Sequence, residues 1–162
     1  MRNLILRYSK EGDILLDPMI GGGTTAIEAK LLHRNLVCCD VNPEAIERTK
    51  KSLEFDFETK STQVVHHQDA RVLDFLKNES IDFALTHPPY ADIIKYSEGK
   101  IPEDLSSIND LEKFCDEMEI IAKELFRVLK KGGFCAILMG DTRRKKMYQP
   151  LAFLVMPRFL KS

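Results

Sequence analysis

Five short apolar runs punctuate the chain, at Asp13 to Asp17, Leu36 to Asp40, Gln63 to His67, Ile81 to Thr86 and Phe134 to Met139, and segments of helical period separate them. Such alternation predicts an α/β fold. Each intervening segment is long enough for a crossover helix, so the five strands can all run parallel with right-handed connections and helices on both faces. Asn42-Pro43 supplies a cap and a first-turn proline for a helix that continues through Glu44 to Arg48. Asn109, with Glu112 three residues on, reads as a capping box for a helix over Asp110 to Leu129, where Leu111, Phe114, Met118, Ile121, Leu125 and Leu129 form one stripe. Lys130-Lys131-Gly132-Gly133 is read as its end, basic residues favouring the dipole and glycine the left-handed exit. Further helices are expected over Thr24 to Leu32, Ala70 to Leu76 and Leu151 to Leu160. The least regular stretch, Ala91 to Ser107, is expected to be either a flap over a substrate or a solvated loop.

Composition narrows this picture. With 162 residues, 44% apolar and 30% charged, residues 1–162 are expected to form a single domain around one core. The longest apolar stretches, such as Leu151 to Pro157, fall well short of the ~20 residues that span a bilayer. Arg2 and Arg7 interrupt any signal-peptide pattern, which points to the cytoplasm or an equivalent reducing compartment. Cys38, Cys39, Cys115 and Cys135 lack the spacing of a zinc or redox site; Cys38, Cys39 and Cys135 sit in apolar runs, as small hydrophobes do. His66 and His67 have no partners at metal-ligand spacing, so they are read as structural and no metal is expected. A net charge of −1 excludes nucleic-acid binding by an overall basic field. A local patch remains, Arg143-Arg144-Lys145-Lys146 after the fifth strand, suited to phosphate contacts.

Candidate chemistry gathers at the strand ends. Open α/β sheets bind ligands beyond the carboxyl ends of their strands, so Asp17, Asp40, Asp69, His87 and Asp141 are expected to converge. Gly21, Gly23 and Ala26 have the spacing of a dinucleotide-binding turn that opens a helix, and Asp40 follows at the interval of a ribose-binding acid. Asp69 could reach an exocyclic amine of adenine or cap the following helix. A nicotinamide cofactor and S-adenosylmethionine would both use these features, and His87-Pro88-Pro89-Tyr90 separates them. A dehydrogenase has no evident use for that element, whereas methyl transfer to a ring amine does. The Pro88 carbonyl and a His87 ring nitrogen can accept hydrogen bonds from the amine, drawing its lone pair out of the ring, while Tyr90 stacks on the base.

With these residues in hand, the chain resembles the S-adenosylmethionine-dependent DNA amino-methyltransferases of the N4-cytosine and N6-adenine type. Asp17-Pro18-Met19-Ile20-Gly21-Gly22-Gly23-Thr24-Thr25 is similar to their Asp-Pro-Phe-x-Gly-Ser-Gly-Thr-Thr cofactor motif, and His87-Pro88-Pro89-Tyr90 to their (Asp/Asn/Ser)-Pro-Pro-(Tyr/Phe) catalytic motif. The likeness extends through Asp40-Val41-Asn42-Pro43 and Gly140-Asp141-Thr142-Arg143-Arg144, so it covers most of the chain. It implies a Rossmann-like, doubly wound, mostly parallel sheet, the class I methyltransferase fold, here without the last two strands. It implies S-adenosylmethionine as cofactor, held by Asp17, Pro18, Met19, Gly21, Gly23, Thr24, Thr25, Asp40, Val41, Asp69 and Ala70. DNA would be the acceptor, as in restriction-modification systems, with His87, Pro88, Pro89 and Tyr90 as the catalytic element.

Three departures qualify the likeness. Histidine at position 87 leaves the target open among adenine N6, cytosine N4 and guanine N2; Gly22 replaces serine; and the chain stops at Ser162 where two more strands are usual. A domain truncated at both ends is expected, its sheet edge completed by a homodimer or a second chain. RNA or protein glutamine as acceptor, or a cofactor-binding module without activity, are the alternatives.

Overall fold

The computed structural model describes residues 1–89, 97, 99–144 and 146–162, with Arg144 described by its backbone alone. Tyr90, Lys145 and residues 91–96 and 98 of the expected flap therefore lie outside the described residues. The elements are α1 (Arg2–Tyr8), β1 (Ile14–Asp17), α2 (Thr24–Leu31), β2 (Asn35–Asp40), α3 (Pro43–Ser52), β3 (Gln63–His67), β4 (Ile81–Thr86), α4 (Leu111–Val128), β5 (Leu129–Ile137), β6 (Thr142–Arg144), β7 (Met147–Gln149) and α5 (Leu151–Lys161). Strands β1 to β5 form one sheet in the order β3-β2-β1-β4-β5, every pair parallel. Strand order thus reverses between β1 and β4, where an open sheet leaves a crevice beyond its carboxyl ends.

Successive strand residues point to opposite faces, so each central strand must be apolar on both sides. Leu15, Cys38, Phe83 and Leu85 pack with Ile5, Ala26, Ala29 and Ile46, the residues that α1, α2 and α3 contribute. Their neighbours Leu16, Cys39 and Ala84 pack on the other face with Phe114, Met118, Ile121 and Leu125 of α4 and Leu151 and Val155 of α5. The expected apolar stripe of α4 is therefore buried on one face, except that the helix ends at Val128. Arg158 of α5 clamps the α4–α5 pair through Glu112, Asp116 and Glu119. Among the described residues no helix is long and apolar enough to cross a membrane.

The structure corrects several expectations. Residues 70–76 form turns rather than a helix, because Arg71 pairs with both Asp69 and Glu117 instead of starting a helical ladder. Asp110, not Asn109, caps α4: its side chain accepts from the Lys113 amide at 2.8 Å. No left-handed glycine ends α4. Leu129 is already extended, and β5 begins there instead of at Phe134. Ile81 pairs with Leu129 and Phe83 with Phe134, so the Lys130–Gly133 stretch bulges from the ladder. Gly133 is required in that bulge, since a Cβ would lie 2.9 Å from the Asp82 and Lys130 carbonyl oxygens. Cys135 is exposed, unlike the other three cysteines, because β5 is the sheet's edge strand. Arg143 and Arg144 of the basic stretch belong to an antiparallel hairpin, β6–β7, that the hydrophobic pattern does not reveal.

Gly23, at φ +85°, precedes α2 and packs against α3, where a Cβ would meet Ser52 Oγ at 2.7 Å and Thr49 at 3.1 Å. Gly23→Ala is expected to cost roughly 2–4 kcal/mol, from left-handed strain and overpacking together. Thermal unfolding measures it; a melting temperature equal to that of the unaltered protein would contradict the account.

Candidate active site

The carboxyl end of β1 delivers Asp17 into the core at 2% exposure, with Oδ1 accepting from the Met19 amide at 3.2 Å. Burial pushes this carboxyl up to about 6, against the Thr25 and Thr86 hydroxyls and the Met19 amide, which favour its charged form. The chain then turns through Pro18 to Gly23 and enters α2. Gly21 adopts φ +53° and donates its amide to Asp40 Oδ2 at 2.9 Å, while the Asn42 amide donates to Asp40 Oδ1 at 2.9 Å. Asn42 in turn caps α3, its side chain accepting from the Glu44 amide, with Pro43 in the first turn. These bonds lock the ends of β1 and β2 together. Burial raises the pKa of Asp40, the two amides oppose that rise, and the charge of Asp104 adds to it.

A cavity of about 470 Å³ opens beyond these strand ends, within the range of small-molecule sites. Asp17, Pro18, Met19, Gly21, Thr24, Thr25, Asp40, Val41, Asp69 and Ala70 line it, and His87 and Pro89 border the same space from the end of β4. Two residues expected at the cofactor or catalytic centre stand elsewhere. Gly23 lies behind the wall against α3, and Pro88 is buried without lining the cavity. Asp141 does not join the cluster either: it accepts from the Tyr148 hydroxyl and from the Ala152 amide, tying the hairpin to α5. Asp69 reaches the cavity, but its carboxylate is held by the Arg71 guanidinium at 2.6 Å and by the Arg71 amide at 2.8 Å. It neither caps a helix nor stands uncommitted. His67 contacts the Val41 carbonyl at 2.9 Å and His66 stacks near Phe75, with 4.4 Å between ring centres.

The cavity also has walls that the sequence does not single out residue by residue, part of them in the Ala91–Ser107 stretch expected as a flap or a solvated loop. Glu103, Asp104 and Leu105, from the segment between β4 and α4, line it together with Glu44 and Arg48 of α3. Asp104 is buried and stands before a 3₁₀ turn, Leu105–Ser107, where its side chain accepts from the Ser106 amide at 2.8 Å and the Ser97 amide at 3.0 Å. The local signal, Asp-Leu-Ser-Ser, reads as a turn. Only the packing of that turn on the sheet end makes it part of a site.

The donor set suits a nucleoside-like ligand. Each Asp40 oxygen has capacity for a second hydrogen bond beyond the backbone amide it accepts, as a pair of adjacent hydroxyls would require. A Cβ at Gly21 or Gly22 would meet open space, so the bare turn lets a ligand approach the backbone.

Asp17 also predicts a pH dependence. Its folded pKa of about 6 exceeds its ordinary value of 3.8, so the folded state holds the proton more tightly. Its contribution is favourable below about pH 4 and is lost as pH rises through about 6, a change on the order of 3 kcal/mol. Asp17→Asn is therefore expected to stabilise the free protein at pH 8 and to have little effect near pH 4. Chemical denaturation at both values measures this, and equal effects at the two would contradict it.

Residues 1–51 match the DNA methylase family. A Type II methyltransferase of Streptococcus pneumoniae, M2.DpnII, is 41% identical over 59 residues, 36% of this chain and 22% of the relative. A tRNA (guanine(10)-N2)-dimethyltransferase of Methanocaldococcus jannaschii is 33% identical over 108 residues, 64% of this chain and 30% of the relative. The chain thus spans less than a third of either relative. A S-adenosylmethionine-dependent methyltransferase structure from Methanosarcina mazei superimposes with a TM-score of 0.57 at 25% identity, covering 78% of this chain and 52% of the other. In its first 51 residues the chain is thus similar to the DNA methylase family, and in its sheet and glycine turn it is similar to S-adenosylmethionine-dependent methyltransferases.

Proposed function

We propose that this chain methylates an exocyclic amino group of a DNA base, adenine N6 or cytosine N4, with S-adenosylmethionine as donor. One observation carries the reading: His87 and Pro89 border the same cavity as the glycine turn and Asp40, so donor and acceptor elements share one space. When bound, S-adenosylmethionine supplies a methyl group on a sulfonium centre. Asp40 accepts hydrogen bonds from the ribose hydroxyls, Asp17 and the 18–25 turn hold the remainder, and Val41 and Ala70 flank the adenine. A His87 ring nitrogen accepts from the amine's N–H group, and the imidazole can take the proton that the amine loses. Tyr90 supplies the stacking surface for the base, as its place in the motif implies. A base approached this way leaves its duplex or is already unpaired. Arg143, Arg144, Lys145 and Lys146 serve phosphate contacts; of these, Arg143 and Lys146 are exposed beside the β6–β7 turn.

The match to the guanine-N2 tRNA enzyme runs over 108 residues, longer than the 59 shared with the Type II enzyme, and favours RNA as a second reading. Incubation of the protein with labelled S-adenosylmethionine and separate DNA, tRNA and protein pools tests both. N6-methyladenine or N4-methylcytosine in DNA is the expected product on nucleoside chromatography. Label confined to RNA as N2-methylguanosine replaces DNA with RNA, and tight cofactor binding without transfer to any pool identifies a binding module.

A further inference from the structure

We infer that Asp104 is a specificity residue of the cavity, selecting the positively charged methyl donor over its neutral demethylated product. The inference rests on the S-adenosylmethionine reading of the site. Asp104 comes from the segment after β4, outside the two motifs that the sequence likeness covers, yet it lines the same cavity as Asp40. It is 7% exposed. Backbone amides of Ser97 and Ser106 hold one oxygen each, so the carboxylate is fixed, and neither bond brings a counter-charge. Asp104 and Asp40 line the same cavity, and the charge of one acts on the other with like sign.

Two like charges on a low-dielectric wall are unfavourable while the cavity holds water and become favourable when a cation enters. The described lining is unbalanced in the same direction, with Asp17, Glu44 and Glu103 adding to Asp40 and Asp104 against the guanidinium of Arg48, while Asp69 is paired with Arg71. The donor carries a sulfonium that methyl transfer converts to an uncharged thioether. The two ligands are otherwise alike in shape, so a fixed negative charge is the cheapest means of telling them apart. It would also hasten release of the spent product, because the attraction disappears with the methyl group. A purely structural Asp104, a cap on the 3₁₀ turn, would support both ligands equally.

Isothermal titration of the chain with S-adenosylmethionine and, separately, S-adenosylhomocysteine distinguishes these roles. Asp104→Asn keeps the shape and one acceptor oxygen and removes the charge. It is expected to weaken donor binding by about tenfold while product binding changes by less than about twofold, as loss of one nearby charge predicts. Asp104→Ser, which retains a capping hydroxyl, is expected to shift the ratio in the same sense and serves if the asparagine variant does not fold. An unchanged donor-to-product ratio in a folded variant overturns the inference and leaves the function proposed above intact. Failure of the unaltered chain to bind either ligand overturns both.

Discussion

Replacing Asp40 with alanine is expected to weaken S-adenosylmethionine binding by at least about a hundredfold. Two hydrogen bonds to a charged acceptor contribute roughly 1.5–3 kcal/mol each, and every 1.4 kcal/mol is tenfold in affinity. The substitution also orphans the Gly21 and Asn42 amides, which bond to the two carboxylate oxygens at 2.9 Å each. The glycine turn and the start of α3 therefore lose their common anchor, and stability is expected to fall by about 1–3 kcal/mol. Asp40→Asn retains one acceptor oxygen and should fall between the two. Titration calorimetry well below the melting temperature separates lost binding from lost folding. A folded alanine variant with unaltered affinity would remove Asp40 from the proposed cofactor contacts.

The second large effect is expected at His87. His87→Ala should lower kcat by about 10²–10³ if the imidazole both accepts from the amine and takes its proton, the range typical of general-base and positioned electrostatic contributions. Affinity for S-adenosylmethionine should change little, since the proposed donor contacts lie at the ends of β1 and β2. His87→Asn separates the two roles: an amide oxygen accepts a hydrogen bond but cannot take the proton. Activity of the asparagine variant near that of the original would assign His87 to orientation alone. Full activity in the alanine variant would transfer the chemistry to Pro88 and the residues after it. Single-turnover measurements are preferred, because product release can mask the chemical step.

Legibility differed by element. β3 and β4 coincide with their expected limits, and α2, α3 and α5 begin where caps, prolines and apolar periods put them. These elements depend on local chemistry, as with Asn42 before Pro43. The short connection after β3 failed because Ala70, Leu73 and Leu76 have helical spacing, whereas the Asp69–Arg71–Glu117 ion pairs commit the backbone to turns. At the end of α4 the glycines suggested a helix stop and instead accommodate a bulge in β5, a choice made by pairing with β4. Cys135 reads like Cys38 along the chain, and only its place on the edge strand leaves it exposed.

The same division holds for the site. The sequence by itself pointed to the Asp17–Thr25 turn, Asp40 and the His87-Pro88-Pro89-Tyr90 element as candidates, because close backbone approach, paired acceptors and fixed proline geometry each demand particular residue types. The tertiary structure decided which of these residues meet. It turned Gly23 toward α3, placed Asp141 in the hairpin clasp and brought Asp104 to the cavity wall. Convergence of residues 17, 40, 87 and 104 depends on parallel pairing and strand order, and no local spacing along the chain encodes that order.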